Sequence, residues 1–249
     1  MFTDTHCHIF DEYYDNIDEI KELMDNNNVY RVINNGTEKK SNQEILNKIQ
    51  KYEWMYGAIG IHPEEVNNYS EEDLVELENN INNKKVVAIG EIGLDYHYDK
   101  ESKDKQIELF EKQLKLAEKY NKPVIIHSRE ATLDTIECIK KYDVKGVIHC
   151  FSGSYETACI YIKLGFLIGI NGVITFKNCN LIETLKKIGL DNVVLETDSP
   201  YLTPVPYRGH KNDPSHILDI VNFIASKMDI SDSEISIITE DNIKRVFDI

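Results

Sequence analysis

The sequence lacks any apolar run near eighteen residues, so no transmembrane helix is expected. It also lacks a basic segment followed by an apolar one at its start, MFTDTHCHIFDEYYDN, so no secretory signal is expected. Cysteine is scarce. The five thiols are an odd number with no Cys-x-x-Cys pair, which argues against a disulfide framework and fits reduced thiols in a cytoplasm. Basic residues fall short of acidic ones, 28 against 43, giving a net charge of −15. That balance argues against a protein that coats nucleic acid through a broad basic face. It leaves room for a nuclease, because metal ions and a few arginines can make a local positive site in a negative shell. There is no Walker A loop and no dinucleotide fingerprint, so no nucleotide cofactor is expected. Neither Ser128 nor Ser152 sits in a Gly-x-Ser-x-Gly context, which removes the usual serine nucleophile. No repeat, low-complexity tract or linker interrupts the 249 residues, and that length suits one domain, residues 1–249.

What is present is alternation. Short β-branched apolar runs are followed by charged stretches with helical spacing. The predicted strands are Phe2–His8, Val29–Asn34, Met55–Ile61, Val86–Ile92, Pro123–His127, Gly146–His149, Phe166–Ile170 and Val193–Thr197. The clearest helices are predicted over Ser102–Asn121, Glu130–Tyr142, Tyr155–Lys163, Pro214–Met228 and Ser231–Phe247. Eight such units predict an α/β chain folded as a (β/α)8 TIM-type barrel. A doubly wound open sheet is the alternative, but its first turn is normally Gly-rich, and here that turn is His-Cys-His.

Polar metal-ligating residues stand at the carboxyl ends of these strands, where barrel enzymes build their sites. His6 and His8 are two apart on the first strand, so both rings share one face while Cys7 points away into the core. A lone His-x-His is weak evidence, since packed core histidines show the same spacing. Four further ligand types at strand ends strengthen it. They are Glu91 in VVAIGEIGLDY, His127 in PVIIHSREA, His149 in GVIHCFSG and Asp198 in VVLETDSPYL. Four imidazoles and two carboxylates exceed one tetrahedral site, which points to two divalent ions, with a carboxylate able to bridge them. Glu196, two before Asp198, is expected to support the ligands. Around this set, His62 in AIGIHPEE is either a phosphate contact or a surface histidine beside a turn. Arg129 and Arg208 are either phosphate-binding forks or partners of the many carboxylates. His97, Lys177, His210 and Lys211 read as solvated loop residues.

Taken in order, DTHCH, GIHPEE, GEIGLDY, PVIIHSREA, HCFSGS, ETDSPYL and PYRGHKNDP resemble the TatD family of metal-dependent deoxyribonucleases, within the amidohydrolase-like barrel group. TEDNIKRVF resembles that family's closing helix. The resemblance spans nearly the whole chain and implies a (β/α)8 barrel, Mg²⁺, Mn²⁺ or Zn²⁺ as cofactor, and DNA as a transiently bound substrate. The implied reaction is phosphodiester hydrolysis, often as a 3′→5′ exonuclease. It further implies that His6, His8 and Asp198 hold one ion, that Glu91 bridges to a second held by His127 and His149, and that Asp198 takes a proton from the attacking water. The departures are small: Asp213 stands where Glu is common, and His97 occupies a variable slot. Competing readings are hydrolysis of a small amide, lactone or ester, an aminoacyl-ester hydrolase acting on tRNA, and a non-catalytic barrel. The related amide and lactone hydrolases often bridge their metals with a modified lysine on the fourth strand, where this chain has Glu91.

Overall fold

The computed structural model describes residues 1–249. Its strands are β1 (Phe2–Cys7), β2 (Val29–Asn35), β3 (Met55–Ile59), β4 (Val86–Asp95), β5 (Val124–Arg129), β6 (Gly146–Ile148), β7 (Phe166–Ile170) and β8 (Val193–Leu195). The helices are α1 (Ile17–Asn26), α2 (Lys39–Lys51), α3 (Glu71–Asn80), α4 (Lys103–Tyr120), α5 (Thr132–Ile139), α6 (Tyr155–Lys163), α7 (Leu181–Ile188), α8 (Ile217–Met228) and α9 (Asp232–Phe247). The strands hydrogen-bond in sequence order, and the β1–β2, β3–β4, β4–β5, β5–β6 and β7–β8 pairs are parallel. This is the (β/α)8 architecture expected from the alternation. The last strand returns to the first: Cys7 bridges Ser199 in parallel, His8 N–H donates to Ser199 O at 2.7 Å, and Asp198 N–H donates to His6 O at 2.9 Å. Strands buried along their whole length, such as VVAIGEIGLD, are what a parallel sheet covered on both faces requires.

Boundaries differ from the sequence expectation in informative places. β4 runs to Asp95, so Glu91 lies inside the strand rather than at its end, and β5 continues through Arg129 instead of passing into a helix. The extension follows from pairing of Gly93 with His127 and of Asp95 with Arg129. The two backbones approach so closely there that a Cβ at Gly93 would stand 1.9 Å from His127 O. Glu130 has φ +55°, which blocks a helical start and delays α5 to Thr132. Pro214–His216 forms a 3₁₀ turn, with Asp213 accepting from Ser215 N–H at 2.9 Å, before α8 begins.

The chain divides into two compact units. One comprises Met1–Asn34, Cys150–Lys163 and Leu167–Ile249, and carries β1, β8, α1 and α6 to α9. Its α8 buries Ile217, Ile220, Val221 and Ile224, spaced at three and four residues as a single inward face demands. The other comprises Asn35–His149 and Leu164–Phe166, and carries β3 to β6 with α2 to α5. There α4 buries Leu109, Phe110, Leu114 and Ala117 by the same rule.

In the first unit α9 is pinned by one carboxylate. Glu240 Oε2 accepts from Thr3 Oγ1 (3.0 Å), Tyr30 OH (2.7 Å) and Arg31 Nη2 (2.8 Å). Glu240→Ala leaves the largely buried Arg31 without its counter-charge and is expected to cost about 2–3 kcal/mol in urea unfolding. Metal binding should be retained, because these contacts involve none of the expected ligands. A change in stability below the error of the measurement would contradict the pinning role.

Candidate metal centre

In the first unit, His6, His8 and Asp198 converge. His6 Nε2 lies 3.2 Å from His8 Nε2, and Asp198 Oδ1 lies 3.6 Å from the former and 3.4 Å from the latter. Both histidines are buried, and their rings meet edge to face at 4.9 Å. This arrangement has a specific chemical sense. Imidazole nitrogens bound to one zinc at tetrahedral angles lie roughly 3.3–3.4 Å apart. The three observed edges match such a coordination face, so the donor set fits a divalent cation. Asp198 itself sits at φ +58°, a left-handed conformation that Asp tolerates better than most residues. That turn aims its carboxylate back at β1.

The second unit holds a cluster centred on Glu91. Its Oε1 is 2.9 Å from His127 Nδ1, 3.6 Å from His62 Nε2 and 3.8 Å from His149 Nε2. Glu91, His127 and His149 are therefore brought together as expected. His62 is also in this group, with its ring 4.6 Å from that of His127. Its Nδ1 accepts from Glu64 N–H at 3.3 Å, so the neutral ring carries its proton on Nε2, the nitrogen that faces Glu91. His62 is a buried residue that caps the turn after β3, which corrects the reading of it as a surface histidine.

Two carboxylates absent from the expected set organise these ligands. Asp4 is fully buried beneath the first triad. Its Oδ1 accepts from His6 N–H (3.1 Å) and Thr197 N–H (3.0 Å), and its Oδ2 accepts from Thr197 Oγ1 (2.5 Å). It thus ties β1 to the segment leading into Asp198. Burial pushes Asp4 up to about 8 against the opposing hydrogen bonds from Thr197 and His6. In the second unit Asp95 Oδ2 lies 2.9 Å from His127 Nε2. His127 therefore has a carboxylate at each ring nitrogen, and a metal at Nδ1 would leave Nε2–H donating to Asp95. Burial lowers the His127 imidazole, but Asp95 and Glu91 outweigh it and raise it to about 9. For Asp95, burial works upward, yet His127 and the N–H groups of Tyr98 and His97 hold it down at about 2.

Side-chain amides hold the strand ends where the sheet ladder runs out. Asn34 accepts from Ile9 N–H (2.7 Å) and donates to Ile9 O (3.1 Å), beside His8. Gln113 does the same for Ile61, beside His62 (2.8 and 2.9 Å), and Gln106 for Asp95 (2.9 Å each way). Both glutamines lie on α4, seven residues apart and so on one helical face. Glu196 accepts from Cys150 N–H at 2.6 Å, in space that exists because residue 169 is glycine; a Cβ there would stand 2.4 Å from Glu196 Oε2.

The remaining candidates are more peripheral. Arg129 and Arg208 are exposed, and neither is ion-paired. Arg129 lies over the Tyr98 ring at 4.8 Å, and Arg208 lies over Phe176 at 4.0 Å while donating to Thr203 O at 3.2 Å. Arg129 also feels the charges of Asp95 and Glu130, neither of which forms an ion pair with it. His97 meets Glu130 at 2.8 Å on the surface, and Lys177 and His210 are exposed. Lys211 donates to Tyr13 O, and Cys7 is buried with Sγ 3.6 Å from Ile33 O.

A barrel with His/Glu/Asp clusters of this composition is a metal-dependent hydrolase in class. The sequence pattern of the TatD related DNase family matches residues 3–248, and the chain belongs to that family. It is 40% identical over 254 residues to the metal-dependent hydrolase YabD of Bacillus subtilis, covering 100% of both chains. It is 33% identical to the metal-dependent hydrolase YcfH of Escherichia coli, covering 100% of this chain and 96% of that one. Among solved structures, the TatD homologue YjjV of E. coli superposes with a TM-score of 0.94 at 30% identity, covering 100% of this chain and 98% of that one. No helix is long and apolar enough to cross a membrane.

The Asp95–His127 pair makes a prediction for metal-free protein. A raised imidazole contributes stability that is complete below its ordinary value of 6.5 and is lost as pH rises through about 9. By NMR, His127 should titrate near 9 in the wild type and drop toward 6.5 in Asp95→Asn. The same variant should bind metal about 10- to 100-fold more weakly. Unchanged titration and affinity would remove Asp95 from the site.

Proposed function

We propose that this TatD-family hydrolase is a deoxyribonuclease that uses two divalent ions, Mg²⁺, Mn²⁺ or Zn²⁺, to hydrolyse DNA phosphodiesters from the 3′ end. The observation that carries the reading is the face formed by His6 Nε2, His8 Nε2 and Asp198 Oδ1, with edges of 3.2, 3.4 and 3.6 Å. His6, His8 and Asp198 would hold one ion, and Glu91 with His127 and His149 a second. Divalent ions there would neutralise phosphate charge and lower the pKa of an attacking water. Asp198 would accept the proton of that water. His62, a donor at Nε2 beside Glu91, is suited to a phosphate oxygen, and the exposed guanidinium groups of Arg129 and Arg208 to the strand's flanking phosphates. The acidic chain would then bind DNA weakly and release product readily.

The direct test is incubation of metal-loaded protein with end-labelled single- and double-stranded DNA. A ladder shortening from the 3′ end is expected. Cleavage of a small neutral ester with DNA left intact would instead favour the amidohydrolase type of reaction. Asp198→Asn is expected to fold, because Asn accepts the left-handed backbone at φ +58°. Its kcat on DNA should fall by about 10²–10⁴ with KM little changed. A large rise in KM at unchanged kcat would assign Asp198 to substrate positioning. Arg129→Ala and Arg208→Ala should bind metal normally and cleave DNA poorly, with a weakened salt dependence of binding.

A further inference from the structure

Strand β7 ends in a polar side chain that neither cluster uses. Asn171 follows Ile170, the last residue of β7, with an extended backbone (φ −121°), and is only 2% exposed. Ile170 pairs with Leu195 of β8, and Glu196 N–H donates to Ile170 O at 3.1 Å, so Asn171 stands beside Glu196 on a common face. Gly169, two residues earlier, marks that face as the interior one, because its missing Cβ leaves the space that the Glu196 carboxylate fills. One end of the Asn171 amide is in use: Oδ1 accepts from Val173 N–H at 3.1 Å and caps the 3₁₀ turn Gly172–Thr175. That bond also fixes which end is the oxygen, since only the oxygen can accept. Nδ2 is buried and has no hydrogen-bond partner. A cap needs only an acceptor, so Ser or Asp would serve as well, and the buried NH₂ costs stability without helping the cap. The turn is rigid. A Cβ at Gly172 would stand 2.4 Å from Leu202 O, which presses the turn against the segment after Asp198. Thr175 Oγ1 accepts from Val205 N–H at 2.9 Å and donates to Gly172 O at 2.7 Å, which closes that contact. A fixed, desolvated donor at the carboxyl end of a barrel strand is the arrangement that stabilises charge on a reacting group.

We propose that Asn171 is a substrate-binding residue whose Nδ2–H donates to a non-bridging oxygen of the scissile phosphate. This rests on the nuclease reading above and deepens it by assigning the reacting group a neutral contact beside the metal ions and arginines. The chemistry of the donor fits that occupant. A phosphodiester presents lone pairs on both non-bridging oxygens and has no proton to give, so it is matched by an NH₂ and opposed by a carboxylate. The donor also has to work next to Glu196 and two residues from the position of Asp198 on the neighbouring strand. A lysine or arginine at 171 would be drawn into an ion pair with those carboxylates, whereas an amide held at its other end by Val173 keeps its N–H directed away from the cap.

The test uses intact, metal-loaded protein and DNA whose terminal linkage is a phosphodiester or either diastereomer of a phosphorothioate, sulfur being the weaker hydrogen-bond acceptor. Asn171→Ser keeps an acceptor for Val173 N–H and is expected to fold, which urea unfolding checks. Asn171→Asp, of the same size and also a cap, takes its place if it does not. On the phosphodiester, kcat/KM of the variant should fall by about 10²–10³. On the diastereomer that sets sulfur against Nδ2, the ratio of wild type to variant should approach one, while on the other it should stay at about 10²–10³. A second readout needs no variant. By NMR, the Nδ2–H signals of Asn171 should move downfield when Mg²⁺-loaded wild type binds a strand whose leaving 3′ oxygen is replaced by methylene, which keeps both non-bridging oxygens and blocks cleavage. Wild-type turnover by the variant, equal ratios on all three substrates, or amide signals that stay in place would leave Nδ2 with an ordered water only. Each of these overturns the proposal and leaves the nuclease reading standing. Absence of both binding and cleavage of any DNA by wild type overturns the two together.

Discussion

One buried carboxylate sets the geometry on which the first triad depends. Asp4 receives N–H groups from His6 on β1 and from Thr197 beyond β8, and so fixes the spacing of the two segments that carry the imidazoles and Asp198. That tie acts with the backbone bonds from Asp198 N–H to His6 O and from His8 N–H to Ser199 O, and the two imidazole nitrogens and the carboxylate oxygen meet within 3.6 Å. An ionised carboxylate is costly to bury, and burial accordingly raises Asp4 to about 8 against the hydrogen bonds that it accepts from Thr197 and His6.

The same constraint recurs wherever a strand delivers a functional residue. A parallel ladder ends before the residues that must turn their side chains toward the site, leaving backbone groups in need of partners. Asn34, Gln106 and Gln113 fill those vacancies with paired amide hydrogen bonds next to His8, Asp95 and His62, and Asn212 Nδ2 donates to Thr197 O beside Asp198. Such partners hold a ligand's backbone without competing for the metal. Asp95 performs the complementary task on a side chain by orienting the His127 ring.

Much of this was legible in the sequence. The alternation of apolar runs and amphipathic segments predicts the eight βα units, and the His-x-His spacing with ligand types at later strand ends predicts which residues meet. Asp4 could have been found as well. It precedes His6 by two, so the period of the strand puts Asp4, His6 and His8 on one face. Asp95 was obscured because the expected strand stopped at Ile92, and only the pairing of Gly93 with His127 carries β4 far enough. The amide clamps have no local signal. Gln106 and Gln113 lie in a helix where glutamine is an ordinary surface residue, and their partners are 11 and 52 positions away in the chain. His62 was ambiguous for a related reason: its burial and tautomer follow from contacts with Glu64 and Glu91 that spacing does not encode.

If these side-chain clusters are the metal centres of the hydrolase, each must take up a divalent ion. Anomalous diffraction from crystals soaked in Mn²⁺ or Zn²⁺ tests it most directly. The account predicts one peak bonded to His6 Nε2, His8 Nε2 and Asp198, and a second bonded to Glu91 and His127. Metal found only elsewhere on the chain, with both clusters empty at saturating ion, would contradict it.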